Sequence, residues 1–135
     1  MASSSIEQAL YVRLTGDTDI TADLGNRIFL SKAEPGVATP YAVYNVVSDP
    51  HEAFSFDAVN TGSPRIQFDI YSTDRYVGLR IAQNVRERVR HYGGTWDGMT
   101  IHRCTAGGTR LFPETDRADV FMATLDIMPQ YVDAS

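Results

Sequence analysis

Residues 65–72 alternate with a period of two, with Ile66, Phe68 and Ile70 on one side and Arg65, Gln67, Asp69 and Tyr71 on the other. Successive side chains on a strand point to opposite faces, so the pattern specifies a half-buried strand. A few residues later the period changes. Leu79, Ala82, Val85, Val89 and Tyr92 recur at helical spacing. This predicts a helix over about Asp74 to His91, capped by Ser72 or Thr73 and ended by Gly93-Gly94. A half-buried strand that feeds an amphipathic helix calls for two layers, with the helix on the strand's apolar face.

The remaining segments extend this plan. Ser4 and Glu7 have capping-box spacing, and Ile6, Ala9, Leu10 and Leu14 form an apolar stripe. A first helix is therefore expected from about Ser4 to Thr15, stopped at Gly16. A shorter helix is expected from Asp19 to Leu24, capped by Asp19 and ended by Gly25. Arg27 to Leu30 and Tyr41 to Ser48 read as strands on either side of a Pro35-Gly36 loop, the second apolar enough to lie inside the sheet. Asp49 to Ser63, with Phe54 and Phe56 at strand alternation, reads as an extended hairpin or arm. Asp97-Gly98 turns into a strand from Met99 to Thr105. A loop is expected over Ala106 to Arg117, then a last strand from Ala118 to Met128 that Pro129 ends. The order α-(α)-β-β-β-α-β-β predicts an α+β fold, a mainly antiparallel sheet with the N-terminal helix and one long helix on one face. At 135 residues the chain is expected to form a single domain, 1–135.

The chemistry in the sequence is sparse. No P-loop, G-x-S-x-G or G-x-G-x-x-G pattern occurs. The lone cysteine, Cys104, excludes an internal disulfide and a Cys-only zinc cluster. His102 and Cys104 are two apart in an expected strand and share a face, but zinc needs further ligands, so the pair reads as ordinary strand residues. Asp17, Asp19 and Asp23 resemble the start of a calcium loop without its central Gly and distal Glu, and capping by Asp19 accounts for them better. Ala106 to Arg110 lacks the helix and lysine of a phosphate cradle. No catalytic residue, metal ligand or cofactor is assigned.

Charge and loop composition say more. The net charge of −5 argues against general adhesion to nucleic acid or membranes. Yet residues 73–92 hold five arginines against Asp74 and Glu87. Arginine also outnumbers lysine eleven to one, and arginine is the cation favoured at protein interfaces. Arg75, Arg80, Arg86 and Arg90 are the candidate subunit contacts. Phe54, Phe56, Leu111 and Phe112 fall in expected loops, where large apolar side chains either tuck into the core or dock on a partner. No apolar run is long enough to span a membrane, and the first residues lack a signal peptide's pattern, so a cytoplasmic chain is expected.

With these elements placed, the sequence resembles the tail-completion or tail-terminator family of long-tailed bacteriophages and related gene-transfer particles. Leu24-Gly25-Asn26-Arg27-Ile28-Phe29 is similar to the family's glycine and Arg-Ile-aromatic strand entry. Pro40-Tyr41-Ala42-Val43-Tyr44 matches its Pro-Tyr-x-Val-Tyr strand, and Gln67 to Ser72 its Gln-apolar-Asp-apolar-aromatic-small strand before a long helix. Leu125-Asp126-Ile127 matches its closing strand. Pro129 departs from the pattern, and Tyr131 stands where a displaced terminal aromatic would. The resemblance implies a structural virion protein at the head–tail junction, assembled in the bacterial cytoplasm, and not an enzyme. It implies a homo-oligomeric ring, usually of six copies, on the head-proximal end of the tail tube. Its partners would be its own copies, the tail tube protein and a head or neck connector, with DNA passing through the hole unbound. Phe54, Phe56, Leu111 and Phe112 are then the candidate tube or neck contacts. The alternatives are another neck component, such as a head-completion or stopper protein, and a small enzyme using His102 and Cys104.

Overall fold

The computed structural model describes residues 6–48, 60–62, 64–90, 92–96, 99–113 and 120–133. Three helices and seven strands occur among them: α1 (Ile6–Thr15), α2 (Thr18–Leu24), β1 (Ile28–Leu30), β2 (Tyr41–Ser48), β3 (Asn60–Gly62), β4 (Arg65–Ser72), α3 (Arg75–Val89), β5 (Tyr92–Trp96), β6 (Met99–Pro113) and β7 (Phe121–Asp133). The strands form one sheet in the order β1-β2-β4-β7-β6-β5, with β3 also on β7. Every described pairing is antiparallel except that of β1 with β2. The α+β arrangement expected from the sequence is the one observed.

The helices cover one face of the sheet. Ile66, Phe68 and Ile70 of β4 sit opposite Ile127, Leu125 and Ala123 of β7, and all six are fully buried. Onto them pack Leu10 and Leu14 of α1, Ile20 and Leu24 of α2, and Ile81, Val85 and Val89 of α3. Each such side chain stabilises the fold by about 1.5–3 kcal/mol through the apolar surface it removes from water. The stripe expected for α1 is the stripe that is buried: Ile6, Ala9, Leu10 and Leu14. Ser4, its expected cap, lies outside the described residues. The Tyr44 hydroxyl donates to the Glu7 carbonyl at 2.8 Å and ties α1 to β2.

Several expectations are corrected. The α2 cap is Asp17, not Asp19, because the Asp17 carboxylate reaches the amides of Asp19 (2.8 Å) and Ile20 (3.2 Å). The α3 cap is Asp74, which accepts from the Tyr76 amide at 2.8 Å, while Ser72 instead donates to the Asp74 carbonyl at 2.7 Å. The buried stripe of α3 is Gly78, Ile81, Ala82, Val85 and Val89, which turns Leu79 outward to 37 % exposure. The glycines expected to end the helix lie in β5, whose Trp96 is 1 % exposed.

The expected loop from Ala106 belongs in its first half to β6. That strand runs to Pro113, and its register on β7 shifts between Gly107 and Arg110. Gly108, at φ 71°, takes the left-handed conformation that an extra residue in a strand requires. Pro129 does not end β7, which pairs on to Asp133. Gly62 faces Tyr131 and Ile66 faces Ile127, so one register runs through β3 and β4 and sets Pro129 opposite Pro64. Two residues without an N–H thus meet where the ladder passes from β3 to β4.

Candidate interaction surfaces

The four arginines singled out from the sequence divide into different roles. Arg86 points inward: its Nη2 donates to the Thr109 hydroxyl at 2.5 Å, pinning the β6 bulge to α3. Arg80 forks onto the Asp23 carboxylate of α2, Nη2 at 2.6 Å and Nε at 3.2 Å, and keeps over half of its side chain exposed. Arg75 lies over the Phe121 ring, 5.0 Å from its centroid, and is otherwise exposed. Arg90 is the exposed C-cap of α3. The outward surface of α3 therefore carries Arg75, Arg80 and Arg90 but not Arg86.

Arg88 serves the fold instead. Its Nε donates to the Arg13 carbonyl at 3.0 Å, and Arg13 returns bonds of 3.0 and 3.1 Å to the Arg88 carbonyl. Each guanidinium so satisfies a carbonyl at the other helix's C-terminal end, where cations oppose the dipole. Gly16 lies against this pair, and a Cβ there would fall 3.1 Å from Arg88 Nη2.

Among the apolar candidates, Leu111 lies in β6, half-buried against the core. Phe112 also lies in β6, its backbone opposite Met122. Phe54 and Phe56 lie outside the described residues. Two further surfaces have no counterpart in the sequence reading. Tyr76 is 77 % exposed on α3, one turn from Leu79. On the face of the sheet opposite the described helices, Tyr41 stacks on Tyr71 (centroids 4.9 Å apart), and Phe29 meets Tyr41 edge-on at 6.5 Å. Beside this ladder Asp69, 7 % exposed, accepts from Gln67 Nε2 and from the Thr124 hydroxyl at 2.9 Å.

The reactive groups are disposed differently. Cys104 is 3 % exposed, and burial pushes its thiol up from 9.0 to about 12. Such a thiol is not a nucleophile at neutral pH. Burial, reinforced by Glu7, likewise raises Tyr44 to about 12. Both protons are held more tightly folded than unfolded. The stability they confer is thus complete below about pH 9, the unfolded thiol's range, and is lost as pH rises towards 12. Cys104 is expected to resist a thiol reagent at pH 8 until denaturant is added, and the urea midpoint to fall steadily between pH 9 and 12. Rapid labelling of native protein would contradict the burial. Among the described residues no three His, Cys, Asp or Glu side chains converge as metal ligands. Asp17 and Asp23 are engaged as a helix cap and as the partner of Arg80. No helix among the described residues is long and apolar enough to cross a membrane.

Among the described residues, the outward surface of α3 carries arginines on one side of the sheet, and the tyrosine pair lies on the other. The family model for tail completion protein gp17 matches residues 8–129, and the chain belongs to that family of phage tail structural proteins. A chain of the virion of a native gene transfer agent (GTA) particle shares the fold, with a TM-score of 0.72 over 95 % of each chain at 11 % identity. No curated protein matches the chain in sequence.

The short motifs that resemble the family have structural work here. Gly25, at φ 58°, ends α2. Arg27 then donates from Nε to the Pro40 carbonyl at 2.9 Å and from Nη2 to the Asp23 carbonyl at 3.0 Å, clamping α2 to the start of β2. Tyr44 holds α1, and Gln67 and Asp69 link β4 to Thr124 of β7.

Proposed function

We propose that copies of this chain close into a ring, six in number, on the head-proximal end of the tail tube. The ring stops tube polymerisation, meets the head or neck connector on its other side and lets DNA pass through its hole. The observation that carries this reading is the tail-completion match across nearly the whole fold. The acidic balance of the chain agrees with it, since phosphate is held through Lys and Arg that displace counterions. So does the outward set of Arg75, Arg80 and Arg90, because a ring pairs one face of a subunit with a different face of the next. On this reading the protein acts through surfaces and not as an enzyme. Leu111 and Phe112, with Phe54 and Phe56, remain the proposed tube or neck contacts.

Native mass spectrometry of concentrated protein and of dissociated tails tests the ring, with a species of about six times the 15.0 kDa protomer expected. Particles lacking the protein should carry tubes of uncontrolled length. A strict monomer, absent from tails, would remove the proposal. Two arginine variants separate fold from contact. Arg86→Met is expected to lower unfolding free energy by about 1–3 kcal/mol, because it leaves the bulge at Thr109 unpinned. Arg90→Gln should leave stability within about 0.5 kcal/mol but reduce the ring fraction several-fold.

A further inference from the structure

We propose that the outward ridge of α3, from Arg75 to Arg80, is the seat of segment 49–59 of the next copy. This rests on the ring reading, names the two elements that meet, and sets Phe54 and Phe56 between copies and not against the tube. Three observations lead to it. First, the ridge is open. Tyr76 is 77 % exposed, Leu79 37 % and the Arg80 side chain 57 %, and Arg75 beside them is exposed too. Tyr76 and Leu79 are three residues apart, so they are neighbours on one face of the helix. A tyrosine flanked by arginines has the composition of an interface anchor.

Second, the segment is the ridge's complement in charge and in apolar content. Residues 49–59 lie outside the described residues, and their sequence sets Asp49, Glu52 and Asp57 around Phe54 and Phe56, with no lysine or arginine. The outward surface of α3 sets Arg75, Arg80 and Arg90 against Glu87 alone. Opposite charges around apolar centres steer two surfaces together and fix their register.

Third, chain length excludes the segment's own helix. Asn60 pairs with Asp133 at one end of β7, and Phe121 stands at the other end, roughly 41 Å away along the strand. Arg75 lies over the Phe121 ring, and Gly78 lies against Ser72 and Ala123, so the ridge stands at the Phe121 end. Phe56 is four residues from Asn60 and Phe54 is six, spans of at most about 14 Å and 22 Å. Neither ring can touch Tyr76 of its own chain, whereas a neighbour that brings the N-terminal end of its α3 to the root of the segment receives both. The joint links opposite ends of the domain, so it repeats from copy to copy and closes a ring. It runs the strands around that ring and not along its axis.

Crosslinking tests it. Cys104 is buried, so it does not compete with labels placed elsewhere. A chain carrying both Ser55→Cys and Thr73→Cys, the second at an exposed position just before the α3 cap, is treated at pH 7 with a short bis-maleimide and quenched before denaturation. Position 55 lies within about 18 Å of Asn60, so the two labels cannot be bridged inside one chain. A ladder of bands up to the full ring is expected on denaturing gels. An equimolar mixture of the two single variants should stop at dimers, and neither alone should crosslink to itself. Ring-sized particles by light scattering that give no ladder would overturn this seat and leave the ring intact. Monomers at every concentration, with the protein missing from tails, would overturn the ring reading as well. Dimers from the Thr73→Cys chain alone would place α3 on α3, and dimers from the Ser55→Cys chain alone would place segment on segment; either overturns the proposal. Two further variants give a second measure. Tyr76→Ser should weaken ring association roughly ten-fold or more with the circular dichroism spectrum unchanged, since so exposed a side chain is not needed to fold. Asp49→Asn, Glu52→Gln and Asp57→Asn together should weaken it several-fold and flatten its dependence on salt, because the attraction removed is the screened one. Undiminished ring assembly in either would overturn the assignment.

Discussion

Phe68→Ala is expected to lower the free energy of unfolding by about 3–5 kcal/mol. Phe68 lies at the middle of β4, between β2 and β7, and is 0 % exposed. Its ring lies near-parallel to that of Tyr44, 6.1 Å away, on the face that receives the helices. Truncation removes the transfer energy of the ring and leaves a cavity. The neighbours cannot close it: Leu125 and Tyr44 are fixed by strand register, and Tyr44 is tied further to Glu7. Against a total stability of about 5–15 kcal/mol, this is a large fraction. Urea unfolding at pH 7, followed by circular dichroism, measures it as a lower midpoint with an unchanged slope. A loss below about 1 kcal/mol would mean that the sheet relaxes into the space. Incorporation into tails should fall too, through abundance and not through lost contacts.

What the sequence disclosed, and what it concealed, follows from the range of the interactions involved. The strand over residues 65–72 and the buried stripe of α1 were legible because their periods are local and nothing distant overrides them. On α3 the expected Ala82, Val85 and Val89 are buried, while Leu79 points outward and Tyr92 lies in β5. Glycine carries no hydropathy signal, so nothing in a short window marks Gly78, packed against Ser72 and Ala123, as the buried position and Leu79 as the outward one. Gly93-Gly94 and Gly107-Gly108 read as loop punctuation. In the fold Gly93-Gly94 continue β5 in register with β6, and Gly107-Gly108 sit at the register shift of β6 on β7, both set by partner strands that no short window contains.

The candidate surface was half legible for the same reason. A basic helix is visible in composition. Which of its arginines faces the protein is decided by Thr109, Arg13 and Phe121, all distant in sequence. The aromatic ladder was hidden differently. Near-continuous apolarity in residues 41–48 is what a buried strand also shows, and the pairing of Tyr41 with Tyr71 sets both rings on the side opposite the described helices.

Gly78 governs the spacing of the two layers, and replacing it should have a larger effect than its size implies. A Cβ at Gly78 would stand 3.0 Å from the Ser72 hydroxyl oxygen and 3.7 Å from Ala123 Cβ. That hydroxyl cannot easily retreat, because Ser72 is 2 % exposed and donates to the Asp74 carbonyl at the cap of the same helix. In an open helix, alanine for glycine stabilises by about 1 kcal/mol. Here Gly78→Ala is expected to destabilise by about 1 kcal/mol, and Gly78→Leu by about 3 kcal/mol or more as the helix is levered off β4 and β7. Ser72→Ala removes the obstructing oxygen, so adding Gly78→Ala to that background should be neutral or stabilising. A double-mutant cycle in urea would then return a coupling of about 1–2 kcal/mol. Stabilisation by Gly78→Ala in the unaltered chain would show that Ser72 yields. The leucine variant bears on assembly as well. Tyr76 and Arg80 ride on the turn that contains Gly78, so lifting that turn shifts the whole outward ridge. Ring formation should therefore fail in Gly78→Leu at temperatures where its circular dichroism still reports a folded chain.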